Sequence, residues 1–481
     1  MMTTNTFPFR RRALVLALML ASGAAPAAII DVSGDCTLVA AINNANTDTD
    51  TDGAAFGCSA GSHDDHLSLT SNGLYTLTEV VQGNEDGLPW ITSTITINGH
   101  GATIEHPFVP YDTFRLLYVT ATGNLTLNSL TLTGGYMGYV SNGSILNNGN
   151  MILNQSSISN NSVWTGVSGL TNNGNMILNH SRVSGNSSRQ AVSIANTSNI
   201  TLNHSTVSGN STRFGIGGVS NTGTMTLNDS SVSHNTSIYS GYRCGGHACG
   251  GEGGISNSGT MTLSHSTISN NTGYYVSAIS NGGSITLTNS TVLNNGSFHS
   301  SAIANSGSMT VIASDISGNG GTYNYRGGGR IVNSGTMTIR NSTVSKNTAP
   351  SSYGGGIRNE INGMLLLINS IVSGNQAVGG AGIFNLGTMN LTNSLVSGNK
   401  DSQLKTDYFA PYDVPVGGGG IYNKGSMTFV NTTLSGNSST EQGGAIANRG
   451  SLVLSHSTLS GNRAVAGGGG GIKNYAGRGE A

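Results

Sequence analysis

Charge is the scarcest ingredient of this chain. In 481 residues there are 20 Lys and Arg against 21 Asp and Glu, charged residues make up 9%, and the formal net charge is -1. A nucleic-acid partner leaves a basic stripe, so its absence argues against nucleic-acid binding. Long apolar runs are missing too. The longest, residues 13–20, is too short to span a bilayer, which takes about 20 apolar residues, so no transmembrane segment is expected. Helical periodicity over three turns is absent from the body of the chain, and the glycine runs lack the Lys-Ser/Thr context that cradles a phosphate, so nucleotide binding has no support.

What is present in abundance is one phrase, rewritten. Residues 257–271 read Asn-Ser-Gly-Thr-Met-Thr-Leu-Ser-His-Ser-Thr-Ile-Ser-Asn-Asn, and the phrase returns at 221–235, 305–319, 333–347 and 385–399. Its final residue recurs as Asn161, Asn186, Asn210, Asn235, Asn271, Asn295, Asn319, Asn347, Asn375, Asn399, Asn437 and Asn462. The spacings are 25, 24, 25, 36, 24, 24, 28, 28, 24, 38 and 25 residues, a solenoid period with loop insertions. Leucine-rich horseshoes and parallel β-helices share that period. Met225, Leu227 and Val232 alternate with Thr, Ser and Asn at period two, which selects strands and turns. The expectation is an all-β, right-handed parallel β-helix of about 14 coils. Residue i then lies beside residue i+24, about 4.8 Å away, and the asparagines stack as an interior ladder passing N–H to C=O from coil to coil. The second mark, Asn-x-Gly as in Asn221-Thr222-Gly223, reads as the other corner, with glycine supplying dihedrals that branched residues cannot.

The first residues, Phe7-Pro-Phe-Arg-Arg-Arg, the apolar stretch 13–20 and Ala25-Pro26-Ala27, form a secretory signal peptide. Residues 1–27 are therefore assigned as leader, 28–92 as an N-terminal cap and 93–481 as β-helix repeats, with export to the cell surface, outer membrane or medium. Four cysteines fit such a compartment. Of the three connectivities, local pairing of Cys36 with Cys58 and Cys244 with Cys249 is the simplest, and a metal site of Cys244, His247 and Cys249 is the rival.

Within 28–92, Leu38, Ala41, Ile42 and Ala45 are spaced for a short amphipathic helix whose natural place is over the open first coil. The residues Cys36-Thr-Leu-Val-Ala-Ala-Ile42, then Cys58, Gly61-Ser-His-Asp-Asp-His-Leu-Ser-Leu69 and Tyr75-Thr-Leu77, resemble the N-terminal segment of bacterial CSLREA-domain secreted proteins. This chain carries Val39 and Ala40 where that family has Arg and Glu. The pairing of Gly-Gly-Ala-Ile with Ser-Gly-Asn turns is similar to the repeats of polymorphic outer-membrane proteins. That resemblance implies a β-helical, adhesin-like passenger. Those proteins end in a membrane barrel, whereas this sequence ends in Tyr475-Ala-Gly-Arg-Gly-Glu-Ala481, leaving a truncated passenger or a released rod as the two expectations.

Candidate chemistry is sparse. Asp48, Asp50 and Asp52, followed by Gly53, carry the first positions of a calcium loop, but Ser59 replaces its twelfth-position Glu, so a solvated acidic turn competes with a structural calcium site. His63-Asp64-Asp65-His66 reads as a turn before a strand, with metal binding as the alternative. Gly99-His100-Gly101 is similar to a motif of pectin-cleaving hydrolases but has no aspartate cluster beside it. Between residues 149 and 450 the acids are Asp229, Glu252, Asp315, Glu360, Asp401, Asp407, Asp413 and Glu441, and none share equivalent positions of adjacent coils except within 401–413. A polysaccharide lyase or hydrolase of the pectin-lyase-like type is thus the secondary reading, and no cofactor is required. The primary one rests on residues just after the ladder corner: Tyr239, Tyr242, Arg243, Tyr274, Tyr275, Phe298, Tyr323, Tyr325 and Arg326, with Trp164, Arg189, Arg213, Phe214, Arg330 and Tyr353 in the same frame. They form an aromatic and cationic strip that either packs the loops or binds a glycan or cell-surface protein.

Overall fold

The computed structural model describes residues 27–49, 57–83, 85–107, 113–138, 143–237, 251–298, 300–321, 328–401, 417–465 and 469–475. They form a parallel β-solenoid of about 14 turns with one short helix near the N-terminus.

One coil shows why the sequence winds this way. Thr224–Asn228 alternates exposed Thr with buried Met225 and Leu227, and Asp229 then turns the chain at φ 47°. Ser231–Ser233 buries Val232, and His234 turns again at φ 56° before Asn235. The two-residue strand Thr236–Ser237 follows, and the next coil opens with Ile255–Asn257. Repetition stacks these pieces into sheets of 16, 15 and 14 parallel strands, with 8- and 5-stranded ladders along the fourth side. Met225 pairs with Met261, Leu227 with Leu263 and Val232 with Ile268, so the core is a bundle of apolar files rather than a centre.

The ladder asparagines are interior, each at most 1% exposed from Asn161 to Asn437. Each Nδ2 donates to the next Oδ1 at 2.9–3.2 Å, and the same oxygen also accepts the preceding coil's backbone N–H at 2.9–3.1 Å. The long spacings do not break it. Asn235 reaches Asn271 at 3.0 Å and Asn399 reaches Asn437 at 2.9 Å, so the register is kept across both.

Asn-x-Gly proves to be a second interior ladder, Asn147 through Asn448, ending on the exposed Asn474, with rungs such as Asn221 Nδ2 to Asn257 Oδ1 at 2.7 Å. Its glycines correct the expectation about dihedrals. Gly223 is not left-handed; a Cβ there would sit 2.2 Å from the Ser198 carbonyl oxygen, so the column is glycine because backbones pass too closely for a side chain. The left-handed residues lie elsewhere. Most of them form two columns, one just before the first ladder, including Asn160, Gly209, His234 and Lys346, and another at the corner holding His180, His204, Asp229 and Asn289. A third polar file needed no amide: Ser205 N donates to Ser230 Oγ at 3.0 Å, and Ser230 N to Ser266 Oγ at 3.1 Å.

The helix Leu38–Thr47 starts where Thr37 accepts the Ala40 N–H, and it buries Leu38, Ala41, Ile42 and Ala45 over the first coils. Cys36 and Cys58 are disulfide-bonded beside it. The assigned cap segment joins the solenoid itself: Ile29–Val32 pairs with Asp64–Leu69, which pairs with Thr94–Asn98 in the 16-stranded sheet. Cys244, Cys249 and His247 lie outside the described residues. Among the described residues no helix is long and apolar enough to cross a membrane.

Candidate binding edge

The short strands after the first ladder pair in sequence, Ser162–Val163 with Ser187–Ser188, then Ser211–Thr212, Thr236–Ser237, Thr272–Gly273 and Gly296–Ser297. The described residues that follow these strands therefore emerge on one edge. Trp164, 43% exposed, has the Arg189 guanidinium 4.4 Å from its ring centre. One coil on, Arg213 lies 5.2 Å from the buried Phe214 ring. Farther along, Tyr274 meets Tyr275 edge-on at 4.9 Å and Phe298 at 6.3 Å, all three half-buried. At these positions rings and guanidinium groups of neighbouring coils lie side by side. Tyr239, Tyr242, Arg243, Tyr323, Tyr325 and Arg326 lie outside the described residues.

Glu252 bridges Ile216 and Val276 through its backbone. Burial raises its carboxyl above the ordinary value, against the pull of its own N–H and that of Gly251. Arg330 does not belong to the exposed strip: it is 6% exposed, and burial, with Arg358 nearby, lowers its pKa to about 10. Packing beside Gly328 and Ala349 rather than solvent surrounds it.

Tyr353 leaves the strip for a second ring cluster that sequence reading missed. It stacks on Phe384 at 5.0 Å, and Phe384 on Tyr422 at 4.8 Å and 6°. Phe384 and Tyr422 are the middle, outward residues of Ile383–Asn385 and Ile421–Asn423, paired in register, yet they are only 4% and 2% exposed. Arg358, 5.8 Å from Phe384, also meets Glu360 at 2.7 Å. The readable signal was the x of the Asn-x-Gly strand, Ile-x-Asn, turning aromatic in adjacent coils.

The remaining acids are dispersed. Asp229 is exposed at its corner, Asp315 accepts from Ser317 at 2.6 Å, and Asp401 is buried and accepts from Ser439 at 2.7 Å and from Thr440. Asp48 caps the helix end and accepts the His63 N–H at 2.8 Å, while Asp50 and Asp52 lie outside the described residues. In the His63–His66 segment, Asp65 turns inward and is 1% exposed, and Asp64 faces out on the opposite side of its strand. Among the described residues no three His, Cys, Asp or Glu side chains converge as a metal site. His100 is left-handed at φ 50°, a turn residue.

Fold and ladders define the class as a parallel β-solenoid with stacked asparagines. No family model, no curated protein and no solved structure matches the chain.

Proposed function

We propose that this chain is an exported, non-enzymatic rod, of the CSLREA-domain and outer-membrane-passenger kind, that holds a glycan or a cell-surface protein along its ringed edge. The observation that carries the reading is the placement of Trp164 with Arg189, Arg213 with Phe214, and Tyr274 with Tyr275 and Phe298 at five of six successive coils of one side. Those coils span five steps, roughly 24 Å at the usual strand spacing. Ring faces stack on the C–H faces of sugars, and a guanidinium beside them supplies charged donors. Each such contact is weak, and a row of them on a stiff support acts together because engaging one holds the next at high effective concentration.

Tyr274→Ser with Tyr275→Ser tests it. On an array of bacterial and animal glycans and on intact cells, binding should be lost while the melting temperature holds. A lowered melting temperature with retained binding would assign the rings to loop packing instead. Incubation with polygalacturonate or alginate should yield no unsaturated or new reducing ends; their appearance would replace the binding reading with the polysaccharide-cleaving one.

A further inference from the structure

Among the described residues, the outer face of the 16-stranded sheet carries the longest uninterrupted file of threonine; the comparable run on the neighbouring sheet, Thr206 to Thr291, is bounded by Arg182 and Asp315. In the 16-stranded sheet inward residues alternate with outward ones, so each five-residue strand shows its first, third and fifth side chains. In six consecutive coils the third is threonine: Thr201, Thr226, Thr262, Thr286, Thr310 and Thr338. Each pairs with the next in direct register and without a bulge. Beside them runs a second file of exposed hydroxyl residues, Thr224, Thr260, Ser284, Ser308 and Thr336. From Thr94–Asn98 to Ser308–Ile312 no strand of this row carries a charged residue; the first is Arg340.

Three physical consequences follow. The hydroxyls and methyls form a two-dimensional lattice, about 4.8 Å between coils and about 6.7 Å between files. Threonine is stiff at χ1, so the lattice is fixed before anything binds and little side-chain freedom is lost on contact. Without charges, no side chain holds a hydration shell of its own against the surface. A soluble glycan or protein gains nothing from such periodicity, because its own groups do not repeat in two dimensions. Crystalline polysaccharides do repeat, but proteins grip them through ring faces, and this face has none in these coils.

We propose that this face binds ice. Its two spacings lie close to the two oxygen repeats on the prism face of hexagonal ice, so threonine hydroxyls and the water between them can continue that lattice while the methyls sit in its hollows. The partner is a solid made only of water, and the site is separate from the ringed edge.

The test is thermal hysteresis and inhibition of ice recrystallisation by the purified full chain. The wild type should hold a faceted crystal without growth below the melting point. Thr262→Tyr, a bulky ring in the middle of the file, should abolish both effects with the circular dichroism spectrum and melting temperature unchanged. Thr267→Tyr, on the outer face of the neighbouring sheet, and Tyr274→Ser with Tyr275→Ser, on the edge, should leave them intact. Should Thr262→Tyr fail to fold, Thr310→Lys carries the same expectation. No hysteresis in the wild type, equal activity in the folded face variants, or adsorption to powdered chitin or cellulose in place of ice would overturn the proposal.

Discussion

A buried carboxamide has two donor hydrogens and an oxygen to satisfy, and Asn295 satisfies all of them within the rod. Its Nδ2 donates to Ile268 O, Leu293 O and Asn319 Oδ1, each at 3.0 Å, and its Oδ1 accepts from the backbone N and Nδ2 of Asn271, both at 3.0 Å. Asn295→Leu would strand the Asn271 N–H and take one partner each from Asn271 Nδ2, Ile268 O and Leu293 O. At about 1–3 kcal/mol for the orphaned group, with the three lost partners adding to it, the loss should reach roughly 3–6 kcal/mol. Asn462 makes the same kinds of bond, to Asn437 and Leu434, but at a partly buried end where water can replace it, so Asn462→Leu should lower stability by about 1 kcal/mol. Urea denaturation of the two variants measures the contrast, and equal losses would refute the interior ladder as the main determinant. This ladder was legible because a single residue type recurs at a nearly fixed interval. The two left-handed columns were not: one holds Ser129, Gln155, His180, Asp229 and Ala313 among its members, and φ, not identity, is what they share. The glycines after the second ladder were misread for the converse reason. Identity was plain there, but the cause is a neighbouring carbonyl two dozen residues away, which no local pattern displays.

Among the elements, the cap carries a buried carboxyl with an electrostatic cost. Asp65 is the second residue of the strand Asp64–Leu69 and turns inward. Its Oδ1 accepts the Ser62 N–H at 2.7 Å, and its buried Oδ2 finds no partner. Burial raises its pKa from the ordinary 3.8, with Asp48 and Asp64 adding repulsion. A raised carboxyl means that the folded state holds the proton more tightly than the unfolded one. Its stabilising contribution is complete below the ordinary value of 3.8 and declines as pH rises through the folded value. Asp65→Asn keeps the acceptor for Ser62 and removes the charge. The variant should therefore melt higher than wild type at pH 7, with the gap closing toward pH 3.5. Some decline will remain in both proteins, because burial raises Asp86 as well, despite Arg115 at 3.0 Å. A wild-type advantage at pH 7 would mean that the Asp65 charge is compensated. The helix itself could be read from the spacing of Leu38, Ala41, Ile42 and Ala45, since amphipathic periodicity is local. That the same segment lends Ile29–Val32 and Asp64–Leu69 to the long sheet could not, since those strands lack the repeat phrase and are recruited by pairing alone.

For the molecule as a whole, the two ends of the solenoid are unequal. One end lies under the helix, with Ile30, Leu67 and Ile95 fully buried. At the other, the inward position that holds Phe429 at 0% exposure is occupied in the next coil by Leu454 at 38%, and Leu452, Leu459 and Ile472 are half-buried. In a stack where each coil touches only its neighbours, stability is a sum of coil and interface terms, and a terminal coil has one interface instead of two. Burying a leucine fully contributes about 1.5–3 kcal/mol over leaving it exposed, so several incompletely buried residues make the last described coil the weakest of the described ones. Opening should then proceed as a fraying from that side, not as one cooperative event. Under native conditions, amide hydrogens of Ser451–Ser455 and Thr458–Ser460 should exchange first, Ser426–Val430 next, and the strands from Thr224–Asn228 to Ser308–Ile312 last. Mass spectrometry of peptic fragments resolves these stretches. Uniform protection across them would mean that the interfaces couple all coils into one unit, and that the asparagine ladders transmit order along the rod more strongly than nearest-neighbour packing provides.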